Sequence, residues 1–376
     1  MFPSLGTSSH TRACPSHQPL IMPPSFPSRV VKAAALVGSG LASFSKSRRA
    51  GEATILTFHG LCEGAEYSEI LDWSLHLPLA AFRKICAHVA AEYNAITLSD
   101  LVTARMTDSR LPTNSVIITF DDGYESNFKL AYPVLKEFGL PATIFVTTGF
   151  LDGADLLWFQ RVDLALGRTP LESTEWKING KRLHLHFGTR MQRQQSLVQL
   201  IPELKELTDA DLLDEIDRLE RALKVAPPTV TDLPAPMRPC SWDMLREMAH
   251  DGQIEVGGHT HTHPILARCD PRVMRAEIFT CQDRIRAEMG RAAVSFSYPN
   301  GKEGDFTAET QMLVREAGFK CACTTVNGRV GNATSIFQLP RYGCPESVWE
   351  AEATISGAFE TLKDWRQSCL KAMSLI

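Results

Sequence analysis

The chain has 376 residues, of which 44% are hydrophobic and 22% are charged, and its formal net charge at pH 7 is -4. This composition is that of a globular protein with a large core, and the length suits one elaborated α/β domain or two smaller ones. The nearly balanced charge gives no electrostatic reason to expect nucleic acid as a partner. Ten cysteines without a repeating framework favour reduced, mostly buried thiols over a disulfide scaffold.

The first fifty residues differ in composition from the rest of the chain. They are rich in Pro and Ser as far as Pro27, and a small-residue apolar stretch follows, flanked by Arg29, Lys32, Lys46, Arg48 and Arg49. No run reaches the roughly eighteen apolar residues of a membrane span. Residues 29–49 predict a basic amphipathic helix that contacts a membrane surface or the protein itself. A weak signal peptide and a translation start at Met22 are the alternatives.

From residue 54 onwards, short β-rich runs alternate with amphipathic helical windows, a pattern typical of parallel βα units. The predicted strands of this part lie at 54–58, around Ile96, at 115–120 and at 142–147. The predicted helices lie at 78–93, after a cap at Ser99, and at 127–140 with an end near Gly139.

The stretch 151–238 interrupts this alternation. A hairpin that turns at Asn179-Gly180 and a charged helix or helix pair over 201–223 predict an α/β insertion that caps the site. Regular alternation then resumes, with helices at 241–252, 272–290 and 306–319 and strands at 254–258, 294–299 and 320–326. The predicted organisation is a flexible or amphipathic segment over 1–50, a barrel in two parts over 51–150 and 239–376, and the insertion between them.

Three histidines alternate in the segment IEVGGHTHTHPIL, at His259, His261 and His263, directly after the strand at 254–258. A polar loop tip would explain one of them, but it explains a cluster less well. Neutral imidazole is the commonest metal-binding side chain, so closely spaced histidines favour a metal site.

Two adjacent acids, Asp121 and Asp122, follow the strand at 115–120, and Gly123 makes the turn. Chemistry collects at the carboxyl ends of strands in βα folds, so the acid pair and the histidine cluster are expected to meet on one rim. Successive side chains point in different directions, so one carboxylate can bind a metal while its neighbour faces the substrate. One carboxylate and two imidazoles leave open positions on Zn²⁺, as a hydrolytic site requires.

Four motifs occur in an ordered series: TFDDG at 119–123, HTHTH at 259–263, YPNG at 298–301 and LPR at 339–341. They resemble the motifs of the polysaccharide deacetylases, the NodB-homology or carbohydrate esterase family 4 group, from about residue 55 to residue 343. The resemblance implies a distorted (β/α) barrel of the NodB-homology type with a capping insertion. It also implies a hydrolase that uses one divalent metal ion, Zn²⁺ or another such as Co²⁺ or Ni²⁺, to remove N-acetyl groups from an amino-sugar-containing saccharide or polysaccharide.

The resemblance extends to single residues. It implies that Asp121 is the general base, that Asp122, His259 and His263 bind the metal, and that the backbone N–H of Asn300 stabilises the oxyanion. The substrate contacts that we predict around this set are Tyr124, His261 and Tyr298.

Two departures from the family pattern concern the catalytic groups. The family arginine that braces the catalytic aspartate is absent from the segment FSYPNG, so Arg341 is expected to supply the guanidinium. No histidine follows His263, although many family members have a late histidine that acts as general acid. His59, at the end of the first strand, is predicted to protonate the leaving amine instead, and a polar strand end without a catalytic role is the alternative.

Two other functions remain open at this point. One is hydrolysis of a different non-peptide amide on the same metal site, and the other is carbohydrate binding or assembly by a catalytically impaired scaffold. The retained acids and histidines argue against the second. The compartment is also open, because the cysteines and the weak signal favour the cytoplasm or the inner membrane face, whereas the family's polysaccharide role favours the outside.

Overall fold

The structure is a computed structural model that describes residues 26–47, 51–64, 70–154 and 156–373. Its strands are β1 (Ala53–Phe58), β2 (Gly60–Cys62), β3 (His76–Pro78), β4 (Asn94–Ala95), β5 (Ser115–Phe120), β6 (Ala142–Val146), β7 (Ser173–Ile178), β8 (Lys181–His186), β9 (Ile254–Gly258), β10 (Ser295–Ser297) and β11 (Cys321–Cys323). Its helices are α1 (Phe26–Gly38), α2 (Leu41–Ser47), α3 (Leu79–Glu92), α4 (Leu98–Met106), α5 (Tyr132–Phe138), α6 (Thr148–Leu151), α7 (Trp158–Arg168), α8 (Arg190–Leu204), α9 (Asp209–Ala222), α10 (Trp242–Ala249), α11 (Pro271–Met289), α12 (Ala308–Glu316), α13 (Val348–Ile355) and α14 (Ala358–Met373).

The central sheet is parallel and has the strand order β1-β5-β6-β9-β10-β11, with β4 paired to the first residues of β5. Both faces of β1 and β5 are buried, which explains why these strands consist of nearly continuous apolar and β-branched residues. The segment Leu339–Tyr342 pairs with β11 on one side and with β1 on the other. This segment joins the two ends of the sheet and closes the distorted barrel.

The insertion contains α7, the antiparallel hairpin of β7 and β8, α8 and α9, packed around a hydrophobic core of their own that includes Trp158, Trp176, Leu200 and Ile216. The hairpin confirms the predicted turn, since Asn179 and Gly180 both have positive φ angles, 51° and 72°, as a type I′ turn requires. Helix α8 begins well before the predicted residue 201, because Thr189 and Gln192 form a capping box at its start.

The N-terminal helices α1 and α2 pack against α13 and α14 through small side chains such as Ala33, Ala42 and Ala353. The apolar face of the predicted amphipathic segment therefore contacts the protein itself. A membrane contact through residues 29–49 stays a prediction, and Arg48, Arg49 and residues 1–25 lie outside the described residues. None of the helices in the described ranges combines the length and the apolar character needed to cross a membrane.

The predicted strands and helices of the barrel are present, with two differences at helix starts. Helix α4 is capped by Thr97 and not by Ser99, because Thr97 and Asp100 form a capping box that satisfies N–H groups at both positions. The helix predicted over 127–140 begins as a π-helical turn at Asn127–Ala131 before α5, whose first turn contains Pro133. Its predicted end is confirmed, since Gly139 adopts the left-handed conformation with φ 64°.

Candidate active site

Polar side chains from five different segments meet at the carboxyl ends of the parallel strands. His59 follows β1, Asp121 and Asp122 follow β5, and His259 follows β9. The turn that contains Asn300 follows β10, and Arg341 lies in the segment that closes the barrel. Because the strands are parallel, residues far apart in sequence lie on one rim, as the sequence predicts.

Asp122, His259 and His263 form a buried cluster whose potential ligand atoms all lie within 4.8 Å of one another. The Nε2 atoms of His259 and His263 lie 3.5 and 3.3 Å from Oδ1 of Asp122. Two ligands at about 2.0–2.1 Å from one tetrahedral zinc ion would themselves be about 3.4 Å apart. The spacing therefore fits a shared divalent metal ion.

The hydrogen bonds of this cluster also fit a metal site. Among the described residues, neither carboxylate oxygen of Asp122 has a hydrogen-bond partner, although both are buried. Buried polar atoms are normally paired, and a bound ion would satisfy a carboxylate that has no partner in the protein. Nδ1 of His259 lies 2.7 Å from the backbone oxygen of Ser297, so Nδ1 carries the proton and the lone pair of Nε2 faces Asp122.

The charges of His259 and Asp122 suit metal binding at neutral pH. Burial lowers the pKa of His259 to about 4, so the imidazole is neutral and can act as a ligand. Burial acts to raise the pKa of Asp122, but the neighbouring His263 outweighs it and holds this pKa below its usual range. A neutral imidazole beside an ionised carboxylate is the donor set that Zn²⁺ and similar ions prefer.

Asp121 is buried and forms a bidentate ion pair with Arg341, with N–O distances of 2.8 and 2.7 Å. The same guanidinium donates to the backbone oxygen of Thr324, to Thr119 and to Ser297, so all five of its N–H groups are used. Burial acts to raise the pKa of Asp121, but the Arg341 charge outweighs it and holds this pKa below its usual range. The guanidinium expected from the sequence thus lies against the proposed base and keeps it ionised.

Asn300 occupies a tight turn after β10 with a positive φ of 59°. Its backbone oxygen accepts a hydrogen bond from the Thr325 hydroxyl at 2.6 Å. Within the described ranges its backbone N–H donates no hydrogen bond, so it is available to a ligand. The following Gly301 is required, since a Cβ there would lie 2.8 Å from the backbone oxygen of Tyr298.

His59 is half-buried at the end of β1, and its backbone oxygen accepts a hydrogen bond from Asn127 at 2.7 Å. Its charge, when present, lowers the pKa of both Asp121 and Asp122, which shows that the imidazole lies near the acid pair. The imidazole makes no hydrogen bond with any other described residue. It is therefore free to contact a substrate at this rim.

The loop that carries the histidines is strained and held from several sides. Thr260 and His263 have positive φ angles of 66° and 69°, an uncommon conformation for residues other than glycine, and most of all for a β-branched residue such as Thr260. The buried carboxylate of Glu277 accepts the backbone N–H groups of His261 and Thr262, each at 2.8 Å, and the Thr262 hydroxyl at 2.8 Å. Strain of this kind persists where the surroundings over-determine it, as at active sites.

The insertion supplies part of the site wall. Phe159 of α7 contacts His263 edge to face, with 5.3 Å between ring centroids. Lys205, at the end of α8, lies 2.7 Å from the side-chain oxygen of Asn300. The insertion therefore touches both the cluster of Asp122, His259 and His263 and the turn at Asn300.

The three predicted substrate contacts lie in different surroundings. Tyr298 is fully buried, its ring stacks on Phe306 and its hydroxyl donates to a backbone oxygen at 3.0 Å, so its assignment as a substrate contact is wrong. Tyr124 is also fully buried, although it lines a narrow cavity together with Phe159, and its contact with substrate stays a prediction. His261 stays outside the metal cluster, with Nδ1 2.9 Å from the Thr148 hydroxyl, and its contact with substrate stays a prediction.

Three residues around the site were not predicted from the sequence: Glu277 holds the histidine loop, Lys205 contacts the Asn300 turn, and Ser297 accepts a hydrogen bond from Arg341. Glu277 could have been found, because it shares the apolar face of α11 with Met274, Ile278 and Cys281 and is an acid where a core residue is expected. Nothing in the local sequence distinguishes Lys205 from other charged residues of the insertion.

The chain was compared with protein families and with known proteins. The family model described as polysaccharide deacetylase matches residues 108–322. A segment of 105 residues is 32% identical to YxkH of Bacillus subtilis (strain 168), which is classed among the polysaccharide deacetylases. This alignment covers 27% of the present chain and 34% of YxkH, so the chain matches about a third of that relative's length.

Solved structures share the fold at low sequence identity. The Streptococcus pyogenes deacetylase PplD, solved in complex with acetate, superimposes with a TM-score of 0.54 and 15% identity over 82% of this chain and 99% of PplD. A de-N-acetylase from Aggregatibacter actinomycetemcomitans gives a TM-score of 0.50 and 14% identity over 77% of this chain and 94% of its own. These likenesses confirm the predicted barrel.

Proposed function

The chain belongs to the polysaccharide deacetylase family, and from this premise we propose that it is a metal-dependent hydrolase that removes N-acetyl groups from an amino-sugar-containing saccharide or polysaccharide. One observation carries the proposal: a buried, orphaned carboxylate, Asp122, lies between two imidazoles and directly beside a second carboxylate, Asp121, that a guanidinium keeps ionised. This arrangement separates a metal ligand from a proton acceptor, as amide hydrolysis requires.

In the proposed mechanism Asp122, His259 and His263 would hold a divalent ion, for which Zn²⁺ is the first candidate. When bound, the ion supplies a Lewis acid that polarises the acetyl carbonyl and lowers the pKa of water. The ionised Asp121 accepts the proton of the attacking water, and the free backbone N–H of Asn300 donates to the oxyanion that forms from the carbonyl. Acetate and a free amine are the products.

The leaving amine must take up a proton, and a group other than Asp121 can donate it at this rim. His59 lies at the same rim, and its imidazole makes no hydrogen bond with another described residue. The chain has no histidine after His263. We assign His59 as the general acid on this basis. His59→Ala should lower kcat by about 10²-fold, whereas His184→Ala, which removes an exposed histidine of the insertion hairpin, should leave kcat unchanged.

The deciding experiment measures acetate release from a panel of N-acetylated saccharides, before and after chelation and after addition of Zn²⁺ or Co²⁺. We expect release to require the metal and to be lost in Asp121→Asn. The matched control is Asp283→Asn, which changes an acid with a side-chain exposure of 71% on the outer helix α11. Stoichiometric metal binding without release from any saccharide would contradict the proposal and favour another amide substrate or a binding scaffold.

A further inference from the structure

Lys205 reaches from the insertion to the turn that carries the proposed oxyanion donor. Its ammonium nitrogen lies 2.7 Å from the side-chain oxygen of Asn300. The side-chain nitrogen of Asn300 donates to Asp305 at 2.5 Å, and the same carboxylate accepts the backbone N–H of Lys302 at 2.8 Å. The amide of Asn300 is therefore held at both ends, by a cation from the insertion and by an anion from its own loop.

The position of Lys205 is costly for the folded protein. The side chain is half-buried, and among the described residues it has neither an ion pair nor a second hydrogen bond. Burial lowers the pKa of Lys205, and the charge of Lys302 lowers it further, while Asp305 and Asp72 act in the opposite direction. Lysine is rarely withdrawn from water without a carboxylate partner.

The contact matters for the direction of one backbone N–H. An oxyanion donor is effective only when it already points at the reacting oxygen, since reorienting it during the reaction would add to the activation free energy. The Asn300 turn has a left-handed backbone conformation, and its N–H makes no bond of its own to a described residue. Fixing the side-chain amide at both ends is a direct way to fix the orientation of this turn.

We propose that Lys205 is a positioning residue that holds the Asn300 turn in its reactive orientation and thereby makes turnover depend on the insertion. The inference rests on the deacetylase function proposed above. Lys205 acts through Asn300 and not on the saccharide, so its loss should lower kcat and leave KM nearly unchanged. A residue that bound the saccharide equally in the ground state and the transition state would change KM instead.

The experiment is a double-mutant cycle on the metal-loaded enzyme. Lys205→Met and Asn300→Gly each remove the contact, and glycine keeps the positive φ of the turn without strain. We expect Lys205→Met to lower kcat about tenfold with KM within about twofold, and the double variant to be no slower than Asn300→Gly alone. Lys205→Arg should restore part of the loss, because it keeps a donor and a charge.

The matched control is Lys181→Met, which removes an exposed insertion lysine that pairs with Glu203 at 2.6 Å. Multiplied effects in the double variant, a rise in KM without a fall in kcat, or an equal loss in Lys181→Met would each overturn the inference. Metal content and thermal unfolding of each variant separate a folding defect from a catalytic one, and Lys205→Arg serves if Lys205→Met does not fold. A wild type without acetate release would refute the proposed function, whereas an active wild type matched by Lys205→Met would refute only this inference.

Discussion

Replacement of Arg341 by Met is the most direct test of how the proposed base is kept ionised. The change removes two charge-assisted hydrogen bonds to Asp121 and three further bonds to buried oxygens, while the carboxylate stays buried. Two such bonds at about 1.5–3 kcal/mol each amount to about 3–6 kcal/mol. This agrees with the roughly 3–5 kcal/mol lost when one partner of a buried ion pair is removed.

The pH dependence of this loss follows from the pKa of Asp121. In the wild type Asp121 has a pKa below its usual 3.8, so the ion pair stabilises the folded state above that pH and the contribution is lost as the pH falls through the lowered value. Without the guanidinium, burial raises the pKa of Asp121. Arg341→Met should therefore be much less stable than the wild type at pH 7, and the difference should shrink towards pH 4.

The assay is urea unfolding of chelated protein at pH 7 and pH 4, together with acetate release by the metal-loaded protein. Arg341→Met/Asp121→Asn is the control, because it removes both charges and should be more stable at pH 7 than Arg341→Met alone. Both variants should release acetate more slowly than the wild type, because Arg341→Met loses the guanidinium that favours the ionised carboxylate and the double variant has no carboxylate at this position. A double variant that is as unstable as the sum of the two single changes would refute the reasoning.

Three further predictions concern the residues around this pair. His259→Ala should abolish stoichiometric zinc binding while His261→Ala retains it, as metal analysis after dialysis will show, because only His259 belongs to the cluster. Glu277→Ala should weaken zinc affinity about 10–100-fold, as measured with a competing chelator, and Glu277→Gln should weaken it much less, because the glutamine oxygen can still accept two backbone N–H groups. Equal zinc affinities of Glu277→Ala and the wild type would contradict the supporting role. Burial raises the pKa of Asp163 to about 7, so the wild type should lose stability relative to Asp163→Asn as the pH rises from about 4 through 7. Urea unfolding should show a loss of at most about 4 kcal/mol, and parallel stability profiles of the two proteins would contradict this.

Much of the framework could be predicted from the sequence because it depends on local patterns. Short apolar runs rich in β-branched residues predicted the strands of the barrel, amphipathic windows predicted its helices, and the glycine after α5 marked the end of that helix. The parallel arrangement then predicted one rim for Asp121, Asp122 and the histidines, since each motif follows a strand. The family resemblance, which the family match confirms, supplied the expected roles.

The errors have a common physical cause. Tyr298 was predicted to contact substrate, but its side chain is buried in the core and stacks on Phe306. The cap of α4 was placed at Ser99 on residue type alone, whereas Thr97 has the partner three residues later that a capping box requires. In both cases the neighbours of a side chain, and not its own identity, decided its role.

The contacts between the insertion and the barrel were beyond the reach of sequence patterns for a related reason. Periodicity predicts which face of α8 packs on the insertion's own core, but not how that core is oriented against the rim. Arg341 could be matched to Asp121 because the family resemblance implies a guanidinium beside the catalytic aspartate and only Arg offers a carboxylate a rigid bidentate fork. Nothing in the sequence pairs Lys205 with Asn300, since the oxygen of a side-chain amide can accept a hydrogen bond from many different donors. A contact of this kind becomes visible only in three dimensions, and its role in turnover depends on the insertion staying docked during the reaction.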